Sequence, residues 1–144
     1  MKIEIYTDGG ARGNPGPAAL GVVIKKEGQT IKKYAKFIGE ATNNEAEYEA
    51  VIFALKKIKL LFGKNKAKNM EIKVHLDSEL VVQQLNHCYK IKEESLQPLF
   101  IKVWNLMLDF KKVTFHHIRR KANQEADSLV NEILNEKEKV RTLF

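Results

Sequence analysis

Between Asn44 and Leu61 the apolar residues Val51, Ala54, Leu55, Ile58 and Leu61 recur at helical spacing, while the stretches on either side alternate at strand period. That change of period constrains the fold more than any other feature. Upstream, Ile3, Ile5 and Thr7 alternate with Glu4, Tyr6 and Asp8, and "AALGVVIKKEGQTIKKYAKFIG" reads as two strands joined at "KEGQ". The helix is expected to stop at Gly63, a C′ residue, before a polar loop, "GKNKAKN". "EIKVHLDS" then resumes strand pattern with Ile72, Val74 and Leu76 on one face, and runs into a short helix, "SELVVQQLN". After the connector "CYKIKEES", Leu96, Leu99, Phe100, Val103, Met107 and Phe110 mark another helix, with Pro98 in its tolerated first turn. Trp104 reads as core there. "KVTFHHIR" is a last strand and "NQEADSLVNEILNEKEK" a last helix.

The order is three strands, helix, strand, helix, helix, strand, helix. The first strand is expected to pair in parallel with the fourth through a right-handed helical crossover. The fold class is therefore α/β, a mixed five-stranded sheet flanked by helices, in one domain over residues 1–144 with 136–144 as a candidate C-terminal tail. The end of that tail, "KVRTLF", is open to packing back or to a partner. No internal repeat, low-complexity tract or linker interrupts the chain.

A chain of 144 residues fits one domain with a substantial core. The N-terminus, "MKIEIYTD", enters strand pattern directly, with no signal peptide, and no apolar run is long enough to span a bilayer. Cys88 is the only cysteine, which argues against a disulfide framework or a cysteine metal site and makes a reducing cytoplasm the natural compartment. The 25 basic and 18 acidic residues give +7. Composition alone weighs a lysine-rich solvated surface evenly against a polyanionic partner. Nucleic acid stands ahead of membrane because no basic amphipathic helix with an aromatic face stands out.

Four carboxylates invite a closer reading. Asp8 and Asp77 each end a strand, out of phase with the Ile/Leu face. As parallel neighbours they would lie side by side at the carboxyl end of the sheet, where α/β proteins place their sites. Glu47 shares a helix face with Val51, Ala54 and Ile58, whereas Glu45 and Glu49 fall on a more polar side. Its bland explanation is a capping box, with Asn44 as N-cap and Glu47 returning to the Asn44 N–H. Asp127, between Ala126 and Val130, would on the bland account only be favoured by a helix N-terminus. None of these explanations predicts convergence.

"YTDGGARGNPGPAALG", "TNNEAEYEA", "HLDSELVVQQL" and "NQEADSLV" together resemble the four motifs of type 1 ribonuclease H, in that family's order and spacing, over Lys2 to about Asn135. The resemblance implies a ribonuclease H-like fold and a catalytic, metal-binding set of Asp8, Glu47, Asp77 and Asp127. It implies an endonuclease that cuts the RNA strand of RNA–DNA hybrids and leaves a 5′-phosphate and a 3′-hydroxyl. Two Mg2+ ions, with Mn2+ able to substitute, would sit roughly 3.5–4 Å apart, one activating water and the other stabilising the leaving 3′ oxygen. Asp8 would bridge both, Glu47 and Asp77 would complete one site, and Asp127 would help hold the other.

By the same resemblance, Asn14, Asn44, Glu79 and the backbone near Gly9 and Ala11 would face the RNA in the hybrid's wide minor groove. Thr42, Asn43 and Arg12 would cradle a DNA phosphate. For Thr42, Asn43 and Asn44, helix capping is expected alongside that role. Gly13, Pro15 and Gly16 read as turn chemistry. Two features depart from many bacterial members. Only "CYKIKEES" stands where they carry a basic, tryptophan-rich protrusion, and the loop "RRKANQEAD" lacks the histidine implicated in product release. Both resemble the shorter archaeal-like branch, and Arg119, Arg120 and Lys121 are the candidates to replace that histidine. His75, His87, His116 and His117 are not expected to be ligands. A monomer is expected. The alternatives are a same-fold nuclease acting on another nucleic acid and a catalytically silent hybrid-binding module.

Overall fold

The computed structural model describes residues 1–143. Strands β1 (Lys2–Ala11), β2 (Gly16–Lys26) and β3 (Gln29–Ala41) form an antiparallel meander, with Glu27 and Gly28 in the turn between β2 and β3. Helix α1 (Asn43–Phe62) and the single turn α2 (Lys64–Ala67) lead to β4 (Glu71–Leu76). Helices α3 (Glu79–Leu85) and α4 (Gln97–Met107), strand β5 (Lys112–His117) and helix α5 (Gln124–Leu143) complete the chain. The sheet order is β3-β2-β1-β4-β5, with β1 parallel to β4 and β4 parallel to β5, the parallel pairing that a helical crossover allows.

Alternation in β1 explains the layering. Ile3 and Ile5 join Leu20, Val22, Ile24, Ile72 and Val74 in a core completed by the apolar stripe of α1. Helix α5 packs on β1, β2 and β3 and closes a second, smaller cluster around Ala19, Val130 and Leu134.

Four sequence expectations change. The segment "GKNKAKN" is not all loop, because Lys64–Ala67 closes a helical turn that buries Ala67. Strand β1 does not end at Asp8, because antiparallel pairing with β2 carries it on to Ala11. Trp104 is not core. It lies 52% exposed, since α4 turns only Leu99 and Val103 fully inward and residue 104 sits about 100° round from Val103. Residues 136–143 continue α5 rather than forming a separate tail, with Lys137 over the Phe37 ring at 4.6 Å. Phe144 lies outside the described residues.

Candidate active site

The β1–β4 register pairs Tyr6 with His75, so two residues further along Asp8 and Asp77 come level. Strand β4 stops at Leu76, which leaves the Asp8 side of β1 open at the point where parallel pairing ends. Both aspartates therefore reach the carboxyl end of the parallel strands.

Two glycines bring the other carboxylates to the same place. A Cβ on Gly9 would lie 2.2 Å from the Ala46 carbonyl, so the first turns of α1 rest directly on the β1 backbone and deliver Glu47. Gly21, opposite Asp8 on β2, would place a Cβ 2.4 Å from the Ala126 oxygen, so α5 sits equally close and delivers Asp127. Gly9→Ala is expected to destabilise by roughly 3 kcal/mol, because two backbone segments must separate. Thermal melting checks this against Gly10→Ala, whose Cβ meets Val130 at an ordinary 3.5 Å and should leave the melting temperature nearly unchanged.

Carboxylate oxygens of Asp8, Glu47 and Asp77 lie within 4.8 Å of one another. Asp8 and Glu47 are each only 6% exposed. Asp127 lines the same cleft beside this trio, with its side chain 27% exposed. Burial, then the charge of Asp77, pushes Asp8 up to about 7. Burial and the charges of Asp8 and Asp77 raise Glu47 well above the usual carboxylate range, against a hydrogen bond from the Gly9 backbone. Glu47 Oε2 is buried with no hydrogen-bond partner. Such a cluster fits a hard divalent cation, which takes oxygen ligands and offsets the repulsion. Cys88 and the four histidines lie outside the trio.

The helix start differs from the expected capping box. Thr42, not Asn44, is the N-cap: its Oγ1 accepts from the Glu45 N–H at 3.1 Å, and its own N–H donates to Glu45 Oε1 at 2.9 Å. Glu45 occupies the N3 position, so capping leaves Glu47 unexplained. Asn44 instead donates to Glu93 Oε1 at 3.1 Å, tying the connector to α1. The turn after β1 is stitched to the same helix start. Asn43 Oδ1 accepts from the Ala11 N–H at 2.9 Å, and Asn14 Oδ1 accepts from the Asn43 N–H at 3.0 Å.

Glu79 is exposed in the first turn of α3, which Ser78 caps through a 3.3 Å bond from the Val81 N–H. Arg12 lines the acidic cleft. Of the loop candidates, Arg120 approaches Asp127 Oδ1 at 3.7 Å from an exposed position, while Arg119, which precedes the 3-10 turn Arg120–Asn123, and Lys121 within it are exposed.

A sequence model of the Reverse transcriptase-like family matches residues 6–133. Ribonuclease HI of Halobacterium salinarum is 35% identical over 136 residues, covering 94% of this chain and 65% of the relative. A solved structure of LC11-RNase H1 in complex with an RNA/DNA hybrid superposes with a TM-score of 0.85 at 48% identity, over 90% of this chain and 94% of that one. The chain belongs to the ribonuclease H family. The RNase H1 structure from Halobacterium salinarum agrees, with a TM-score of 0.86 at 34% identity over 94% of this chain and 99% of that one. Against curated relatives the span is smaller: 65% of the halobacterial ribonuclease HI and 36% of a bifunctional protein from Mycobacterium tuberculosis.

Three residues beside this ribonuclease H cluster escaped the sequence reading. Asn123 is buried at the end of the 3-10 turn, where its Nδ2 donates to the Thr7 carbonyl at 2.8 Å and to Asp77 Oδ2 at 3.2 Å. Nothing in "KANQ" marks a buried asparagine. Asn131 and Glu138 also went unnoticed, because a polar residue on a solvated helix carries no signal of its contacts. Gly21 did carry one: an isolated glycine inside a strand pattern signals close backbone approach.

Proposed function

We propose that this chain is a metal-dependent endonuclease that hydrolyses the RNA strand of RNA–DNA hybrids, leaving 5′-phosphate and 3′-hydroxyl ends. The observation that carries the reading is the convergence of buried Asp8 and Glu47 with half-buried Asp77, with Glu47 Oε2 unpartnered. Asp8, which lines one cleft together with Glu47, Asp77 and Asp127, would be shared between two Mg2+ or Mn2+ sites. Glu47 and Asp77 would complete one site, and Asp127 the other. When bound, such cations supply the positive charge that lowers the pKa of an attacking water and stabilises a leaving oxygen. Asn123 holds Asp77 Oδ2 in place while anchored to the β1 backbone.

The stitched asparagines support substrate orientation. Asn14 and Asn43 fix the turn after β1 against the start of α1. Asn44, with the Glu79 end of α3, borders the connector and would contact RNA 2′-hydroxyls in the minor groove. The α1 N-terminus, with Thr42, Asn43 and Arg12 near it, suits a phosphate of the DNA strand. We further propose a single domain acting as a monomer.

The test is a labelled RNA–DNA hybrid beside duplex RNA and duplex DNA, in magnesium. Cutting of the RNA strand in the hybrid alone is expected. Cleavage of the other duplexes at equal rates would favour a same-fold nuclease, and binding without cleavage a silent module. Asn44→Ala adds a second arm. Because Asn44 is not the N-cap, the change should escape the capping cost of about 1 kcal/mol and lower the preference for hybrid over duplex DNA severalfold. An unchanged preference would leave Asn44 as a tie to Glu93 only.

A further inference from the structure

Helix α5 carries Asp127, Asn131, Leu134 and Glu138 at spacings of four, three and four, which places them on one face. Along that face a continuous polar chain runs back to the turn after β1. Asn131 Nδ2 donates to Asp127 Oδ2 at 3.2 Å, and Asn131 Oδ1 accepts from Arg12 Nη2 at 3.5 Å. Arg12 Nη1 is in turn paired with Glu138 Oε1 at 2.8 Å. The two neighbours fix which way the Asn131 amide points. Turned over, it would set its oxygen against a carboxylate and its NH2 against a guanidinium, losing both bonds.

Asp127 needs such a hold. It is more exposed than Asp8, repelled by the charge that Asp8 carries when ionised, and drawn outward toward Arg120, whose side chain is 81% exposed. A carboxylate on one rotatable stem between those influences has at least two places to go.

We propose that Asn131 is a positioning residue for Asp127, kept in orientation by Arg12 and Glu138, and that it sets the cation affinity of the Asp127 side of the site. Asn131 touches neither substrate nor cation; it acts by holding the Asp127 carboxylate against Asp8 before a cation arrives. The inference rests on reading Asp127 as a metal ligand.

Manganese titration of the free protein by calorimetry tests it, together with the rise in melting temperature that manganese produces. Asn131→Ala should weaken manganese binding about tenfold, the lower end of what loss of a partner to a metal ligand produces. It should melt within a few degrees of the parent in chelator and recover most of its cleavage rate at saturating magnesium. Glu138→Gln, which frees Arg12 without touching the site, should shift affinity in the same direction by less. Asp127→Asn is the reference. If Asp127→Asn loses affinity while Asn131→Ala keeps the parental value, the positioning role is overturned and the proposed function stands. If Asp127→Asn itself binds manganese and cuts like the parent, the assignment of Asp127 falls, and the inference with it.

Discussion

Glu47→Gln is expected to slow single-turnover cleavage in magnesium on the order of a hundredfold or more, while the metal-free protein becomes more stable at neutral pH. Glutamine keeps the shape and reach of the side chain and removes the charge that a cation requires. Capping does not confound the result, because the capping box belongs to Thr42 and Glu45. Glu45→Gln preserves that box, which accepts either residue, and Glu49→Gln alters a half-buried position outside the trio. Both should stay within a few-fold of the parent. Equal losses in all three variants, or near-normal cutting by Glu47→Gln, would refute the proposed site.

The stability half has a definite sign. Folding raises the pKa of Asp8 to about 7 and that of Glu47 well above the usual carboxylate range, so the folded state binds these protons more tightly than the unfolded chain does. That contribution is fully present below the unfolded value near 4 and is lost as pH rises through the folded values. Metal-free parent protein should therefore lose stability steadily from about pH 4 through pH 7 and above. Glu47→Gln removes one of the two groups and relieves the other. Its gain in melting temperature should be near zero at about pH 4 and grow with pH. A gain that is flat across this range would point to packing rather than charge.

Chelation is expected to abolish cleavage and to leave hybrid binding largely in place. The carboxylate trio then carries no compensating charge, and no cysteine or histidine among the described residues stands close enough to take over. Binding draws on a different part of the molecule, the excess of 25 basic over 18 acidic residues acting on phosphates. The hybrid retained in chelator should accordingly be released by added salt, as counterion release requires. Magnesium or manganese added back should restore cutting, since both take octahedral oxygen ligands. Undiminished cleavage in chelator would sink the metal-dependent mechanism.

Much of the architecture was legible because periodicity reports burial directly. Alternation at Ile3 and Ile5, and the stripe from Val51 to Ile58, identify the faces that water must leave, and they recur as core in the structure. Asp8 and Asp77 could be set side by side from one assumption, the parallel pairing of the strands that carry them. The direction of Glu47 followed from helical phase, and its burial beside Val51 and Ala54 agrees.

Other features depended on contacts between segments far apart in the chain. Helical phase could not separate Trp104 from the core, because Phe100, one turn earlier on the same face, packs against the core while Trp104 lies exposed. "TNN" offered three candidate caps, and choosing Thr42 required knowing where β3 ends and how the chain enters α1. The closeness of Gly9 to Ala46 and of Gly21 to Ala126 sets how deeply Glu47 and Asp127 reach, and no local propensity encodes such a distance. The same is true of Asn123, Asn131 and Glu138, whose partners lie in other segments or in register along a helix facing β1. Local chemistry therefore settled which residues form strands and helices and which carboxylates face inward. Packing settled how closely those carboxylates approach and what holds them there, because hydrogen bonds and close backbone contacts depend on distances that exist only once the segments have docked.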